Sequence, residues 1–233
     1  METQQPVSSS KLQSPIALLE SAINLYKQRF ATFFVILLIP LLVQVASWLF
    51  PFLFKASGII PFTSVIFSIV SIFVSILGGL ALLYAIKDNT GVEVSYKKGW
   101  TKIFSYFWLM VLSLFIIIGG FLLFVIPGII LAVWFVFGGY IFVYENIGGM
   151  KALSKSKEYV KGRWFGVFLR LIVVFIFNVA IYIVLTFLTG LLGFPAYAKT
   201  IASYAISAVI GPIIPIYLLF LYQNLRSVKG ETI

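Results

Sequence analysis

The chain has 233 residues, of which 61% are hydrophobic and only 10% charged, with a formal net charge of +10 and neither histidine nor cysteine. Ordinary soluble domains are about half apolar and a quarter charged, so a water-facing fold of this length cannot hide so much hydrocarbon, and the bilayer must act as solvent. The missing cysteines exclude a disulfide framework and thiolate metal sites; the missing histidines remove the commonest general base and the two-histidine zinc helix.

Residues 1–13 are polar and read as a disordered cytoplasmic tail. Ser14 then offers an N-cap with Pro15 at the first helical position, and Ile16, Leu19, Ile23, Tyr26 and Phe30 follow at helical spacing. Such a segment lies in the membrane interface, apolar side down. Six apolar runs follow, at 31–54, 61–86, 104–125, 129–144, 164–188 and 201–221. The fourth is short; the others reach the roughly 20 residues that cross about 30 Å of hydrocarbon as helix. Lipid offers unpaired backbone groups no partner, so helix is required. The first run exceeds a signal-peptide core, lacks a small-x-small cleavage site, and reads as retained. Ile126-Pro127-Gly128 joins the third and fourth runs, which predicts a tight hairpin turn at Pro127 and Gly128. The fold expected is an all-α integral membrane protein, with a six-helix membrane domain over 14–226 and a second cytoplasmic tail over 227–233.

Charge sets the orientation. Lys11, Lys27 and Arg29 precede the first run. Lys87, Lys97, Lys98 and Lys102 lie between the second and third. Lys151, Lys155, Lys157, Lys161, Arg163 and Arg170 cluster between the fourth and the start of the fifth, and Arg226 and Lys229 end the chain. With six spans all of these share one side, and only Lys55 and Lys199 fall on the other. The positive-inside rule then predicts a cytoplasmic-membrane protein with both termini in the cytoplasm.

An aromatic–basic–aromatic pattern recurs before each odd run: Tyr26 to Phe30, Tyr96 to Trp100 and Tyr159 to Trp164. The even runs rhyme as well, with Gly78-Gly79, Gly138-Gly139 and Gly211-Pro212 each ahead of a tyrosine, Tyr84, Tyr144 and Tyr217. Together these predict three repeats of an interfacial amphipathic helix plus a transmembrane hairpin. Ser64, Ser68, Ser71, Ser75 and Gly78 share one face of the second run, as do Ser203, Ser207 and Gly211 on the sixth. Small residues of this kind let helices approach closely in lipid, and a serine-lined pore is the alternative. Pro212 and Pro215 are expected to bend the sixth run.

Two groups of residues are candidates for function. Arg170 stands about two turns inside the fifth run, on a stripe with Asn178, Tyr182, Thr186 and Thr189. An intramembrane charge suggests a site, although a long stem can return it to the interface. Glu145, at the end of the fourth run, is its expected partner, which makes Glu145, Arg170, Asn178 and Tyr182 a candidate intramembrane polar site. Lys97, Lys98, Lys151, Lys155, Lys161, Arg163 and Trp164 form a candidate rim for lipid headgroups or a protein partner. With seven acids, no GxSxG, no Walker loop and no GxGxxG, neither catalytic nor metal residues nor a cofactor are expected.

Ile126-Pro127-Gly128-Ile129 after a Gly-Gly-containing helix, then Glu145, Gly148-Gly149, Ala152-Leu153, Ser154 or Ser156, and Val160-Lys161-Gly162-Arg163-Trp164 form an ordered set. It resembles the six-helix membrane domain fused to some bacterial glycerophosphodiester phosphodiesterases, and related stand-alone bacterial membrane proteins. The resemblance covers 104–170 and implies fold and membrane residence; the hydrolytic chemistry of such proteins belongs to a separate soluble domain with histidines and metal ligands. The function expected is therefore a non-catalytic accessory or scaffold that contacts membrane lipids, a protein partner or a second copy, and no nucleic acid. The alternative is a small-solute or lipid transporter using the polar stripe of the fifth run.

Overall fold

A computed structural model of the chain describes residues 12–53, 60–193 and 195–230. Lys11, Lys55 and the side chain of Ser64, which enter the expectations above, lie outside the described residues. Among the described residues there is no strand. The helices are α1 (Pro15–Gln28), α2 (Phe30–Leu53), α3 (Ile60–Asp88), α4 (Val92–Leu123), α5 (Val125–Phe135), α6 (Gly138–Glu145), α7 (Gly149–Val160), α8 (Trp164–Leu191), α9 (Ala196–Ile210) and α10 (Ile213–Val228). Among the described residues five stretches are long and apolar enough to cross a membrane: Phe30–Phe50, Val65–Asp88, Val92–Leu123, Val125–Glu145 and Trp164–Leu191. The sixth apolar run is divided between α9 and α10. The chain is an all-α membrane protein.

The described residues gather into two compact units, one from 12–25, 105–176 and 213–230, the other from 26–53, 60–104, 177–193 and 195–212. In the second unit α2 lies along α3 and α9. Gly78 sits under the Pro40 ring, where a side chain would collide, and Ser71, buried, donates to the Gln44 carboxamide at 2.6 Å. The expected serine face thus packs helices at Ser71 and Gly78, whereas Ser68 and Ser75 are exposed.

The repeat is visible as α1 ahead of α2 and α3, and α7 ahead of α8 and α9. In the middle the interfacial piece and the span merge into the 32-residue α4, whose buried face runs Ser95, Gly99, Ile103, Tyr106, Leu109 at 3–4 spacing. The first interfacial helix starts as its sequence predicts, with Ser14 Oγ accepting from Ala17 N–H at 3.1 Å. The three tyrosines of the aromatic–basic pattern each donate into another helix: Tyr26 to the Val209 carbonyl, Tyr96 to the Ile36 carbonyl and Tyr159 to the Glu145 carboxylate.

Two predicted breaks differ from expectation, and a third, in the fourth span, was not foreseen. The turn between the third and fourth spans lies at extended Phe124, not at Pro127 and Gly128, which occupy the first turn of α5. Proline is tolerated there because first-turn N–H groups have no intrahelical partner. Gly128 is needed for packing: Phe121 lies over it, and a Cβ on Gly120 would stand 3.1 Å from its Cα. The fourth span itself breaks between Phe135 and Gly138. The sixth run breaks at Gly211 and Pro212 rather than bending, since Pro212 and Pro215 each remove a helical N–H donor.

The break in the fourth span releases backbone groups inside the first unit, and one residue satisfies them. Ser156 of α7 is fully buried; its hydroxyl accepts from Phe137 N–H at 3.2 Å and donates to the Trp134 carbonyl at 2.6 Å. A broken membrane helix needs such a substitute for its missing ladder bonds. Ser156→Ala is therefore expected to destabilise the detergent-purified protein by about 1–3 kcal/mol in thermal unfolding, the cost of stranding buried polar groups. Ser154→Ala, on the exposed face of α7, should leave the midpoint unchanged.

Candidate functional site

Glu145 ends α6, and the chain reverses behind it. Asn146 and Gly149 adopt left-handed conformations, with φ of 56° and 59°, and α7 then folds back along α5 and α6. Lys155 and Tyr159, four residues apart, share a face of α7 and both reach the carboxylate. Lys155 Nζ lies 2.5 Å from one oxygen; the other accepts from Tyr159 at 2.9 Å and from Tyr222 of α10 at 2.6 Å. The Glu145 side chain is 8% exposed and that of Lys155 29%, so the pair straddles the edge of the buried region.

Aromatic rings wall this carboxylate. The buried Tyr222 ring has its centroid 5.9–6.2 Å from those of Phe137, Tyr140, Tyr144 and Tyr159. Tyr140 donates to the Pro215 carbonyl at 2.9 Å, which ties α6 to the proline-bearing first turn of α10. Burial of an unpaired carboxylate is prohibitive, and three donors converging on this one remove the penalty. Chemically, the arrangement fixes a charge in place and ties α6, α7 and α10 together.

Arg170 does not join it. Its guanidinium donates to the carbonyls of Leu12 and Gln13 and, from Nη1, to Gly166 at 2.8 Å. Its own carbonyl accepts from Tyr217 at 3.1 Å, and Asn224 Oδ1 accepts from Gln13 N–H at 2.9 Å. Arg170 thus clamps the segment before α1 to the first unit, its long stem returning the charge toward the chain terminus. The expected Glu145–Arg170 pair is replaced by Glu145–Lys155. The reason is local: the reversal at 146–149 brings Lys155 back beside Glu145, whereas Arg170 faces carbonyls left open by a non-helical segment.

Asn178 and Tyr182 belong to the other unit. With Thr186 and Thr189 of α8 they line a cavity of about 270 Å³ whose opposite wall is α9, with Lys199, Ser203 and Ser207. The threonine hydroxyls bond back to their own helix, Thr186 to the Tyr182 carbonyl and Thr189 to that of Leu185. The polar stripe foreseen on the fifth span therefore faces the small-residue face foreseen on the sixth.

The rim residues divide by environment. Lys97, Lys151 and Lys161 are exposed, and Arg163 is half-buried. Lys98 pairs with Asp88 at 2.6 Å, and Lys155 is taken by Glu145. Trp164 stacks on Phe168 at 4.9 Å with its indole N–H directed at the Ile130 carbonyl. Lys157, absent from the expected rim set, lies over the Trp134 ring at 4.4 Å. Tyr159 and Tyr222 were missed as partners of Glu145; the four-residue spacing of Lys155 and Tyr159 was the available signal for the first, and nothing local marks the second.

Comparisons with protein-family models, curated proteins and solved structures find no match for this chain.

Charge exchange tests the pairing. Glu145→Lys and Lys155→Glu should each destabilise the protein by about 1–3 kcal/mol in thermal unfolding, by leaving one partly buried charge opposed. The double variant should recover most of the loss, while Glu145→Lys with Arg170→Glu should recover none.

Proposed function

We propose that the chain is a non-catalytic multi-pass protein of the cytoplasmic membrane, with both termini in the cytoplasm. Its basic, aromatic rim holds anionic lipid headgroups, and it serves there as an accessory or scaffold. The observation that carries this reading is the division of labour on α7. Ala152, Leu153, Ser156, Tyr159 and Val160 are buried, so the helix is fixed to the protein. Lys151 and Lys157 remain exposed on it, and Lys161, also exposed, follows at its C-terminal cap. A helix anchored by its own core that still presents a row of lysines is suited to a negatively charged surface, where each lysine contributes about 1 kcal/mol.

Trp164 supports the same depth, since tryptophan settles at the membrane–water boundary. The resemblance to the six-helix membrane domain points to membrane residence without hydrolysis. Glu145, whose oxygens are occupied by Lys155, Tyr159 and Tyr222, serves as a structural anchor. The groove between α8 and α9 favours a second reading, movement of a small solute or lipid along Asn178 and Tyr182. Under that reading, flux across proteoliposomes would fall when either is replaced by leucine.

Quenching of tryptophan fluorescence by brominated lipids tests the rim. The protein should prefer brominated phosphatidylglycerol over brominated phosphatidylcholine, and the preference should disappear in a Lys151→Gln, Lys157→Gln, Lys161→Gln variant and weaken in high salt. A preference that the triple variant leaves intact would refute the rim as a headgroup site. A protein that co-purifies only with the unaltered chain, with lipid preference unchanged, would make the rim a partner surface instead.

A further inference from the structure

The cavity between α8 and α9 has the features of a built site. Among the described residues the Asn178 carboxamide, the Tyr182 hydroxyl and the Lys199 ammonium have no hydrogen-bond or ion-pair partner, and all three line the same space. In the apolar surroundings of a membrane span such groups are costly unless something pairs with them. The neighbouring hydroxyls of Thr186, Thr189 and Ser203 already bond to their own helices, so they supply surface without demanding a partner.

Position and size narrow the occupant. Lys199 is in the first turn of α9, next to the α8–α9 turn, and among the described residues it is the one cation lining the cavity. It therefore stands at the depth where a span meets water, which suits a phosphate. Asn178 lies eleven residues back from Thr189 along α8, about 16 Å at helical rise and so about half of the hydrocarbon thickness. A track of that length serves one leaflet and does not cross the bilayer. The volume of about 270 Å³ falls at the lower edge of cavities that enclose a drug-sized molecule, so it admits a headgroup and its linkage, with acyl chains left outside. Access is lateral: Tyr182, Ile183 and Phe187 are each at least 60% exposed.

We infer that this groove binds the headgroup of one anionic phospholipid from the leaflet on the side of the α8–α9 turn. The phosphate sits at Lys199, and the glycerol ester region reaches Tyr182 and Asn178. This site is separate from the basic rim: it is built from residues of α8 and α9, holds one lipid and does not depend on the lysines of α7.

Native mass spectrometry of the full chain in mild detergent, titrated with dioleoylphosphatidylglycerol or dioleoylphosphatidylcholine, decides it. One tightly held phosphatidylglycerol is expected, and no comparable phosphatidylcholine. Lys199→Gln should weaken that first binding step about tenfold, as loss of a charge-assisted contact does, and Lys199→Arg should keep it. Asn178→Leu, on an exposed helical position where folding is not at stake, should weaken it by a smaller factor. The rim triple variant should keep it, so failure here and failure of the rim are separable. Equal binding by Lys199→Gln and the unaltered chain would overturn the inference, as would equal loss in the Gln and Arg variants. It would also be overturned by equal affinity for both lipids, by tighter binding of inorganic phosphate than of the lipid, or by a lipid-free dimer as the sole species.

Discussion

The Glu145 carboxylate meets Lys155, Tyr159 and Tyr222 at a point where little water reaches it, and the first unit is arranged around that meeting. In a low-dielectric setting a hydrogen bond gains strength and an unmet one costs more, so a carboxylate there dictates the positions of its donors. The reversal at Asn146 and Gly149 brings α7 back, the spacing of Lys155 and Tyr159 aims two donors together, and Tyr222 brings α10 to the same oxygen. With α7 held this way, its exposed lysines stand on a rigid support.

The same requirement explains the irregular points of the fold. A span that breaks within the protein leaves an N–H and a carbonyl behind, and Ser156 takes both at Phe137 and Trp134. Arg170 does likewise for carbonyls of the non-helical segment at Leu12 and Gln13. Gly120 and Gly128 allow the abrupt reversal at Phe124 by removing side chains where backbones meet. The groove of the second unit is the contrast. There, among the described residues, Asn178, Tyr182 and Lys199 are left over after internal pairing, which sets the groove apart from the packed first unit.

Much of this was legible in the residues. Apolar run lengths locate the spans to within a few positions, and Ser14-Pro15 marks the start of α1. Breaks were harder. Pro127-Gly128 carries a strong turn signal, yet proline is equally at home in a first helical turn, and only the packing of Phe121 and Gly120 decides between the two. The partner of Glu145 was assigned to Arg170 on the strength of a charge inside a span. Lys155 is nearer in sequence, but its place in a run of lysines suits the candidate rim equally well, and nothing in a local pattern links residue 145 to Tyr222, 77 positions on. The polar stripe on α8 is readable as a stripe; that α9 faces it across a cavity is set by tertiary packing, which no local pattern encodes.

Both proposed lipid sites presuppose the proposed orientation, in which the lysines of α7 face the cytoplasm and α8 crosses the membrane once before the α8–α9 turn. The chain contains no cysteine, so a single introduced thiol reports its side without further engineering. Ser154→Cys on α7 and Gly193→Cys in the α8–α9 turn, each labelled with a membrane-impermeant maleimide, make the most direct measurement. The topology predicts that Ser154→Cys reacts only in inverted membrane vesicles and Gly193→Cys only in intact cells. Labelling of both from the same side, or the reverse pattern, would contradict it.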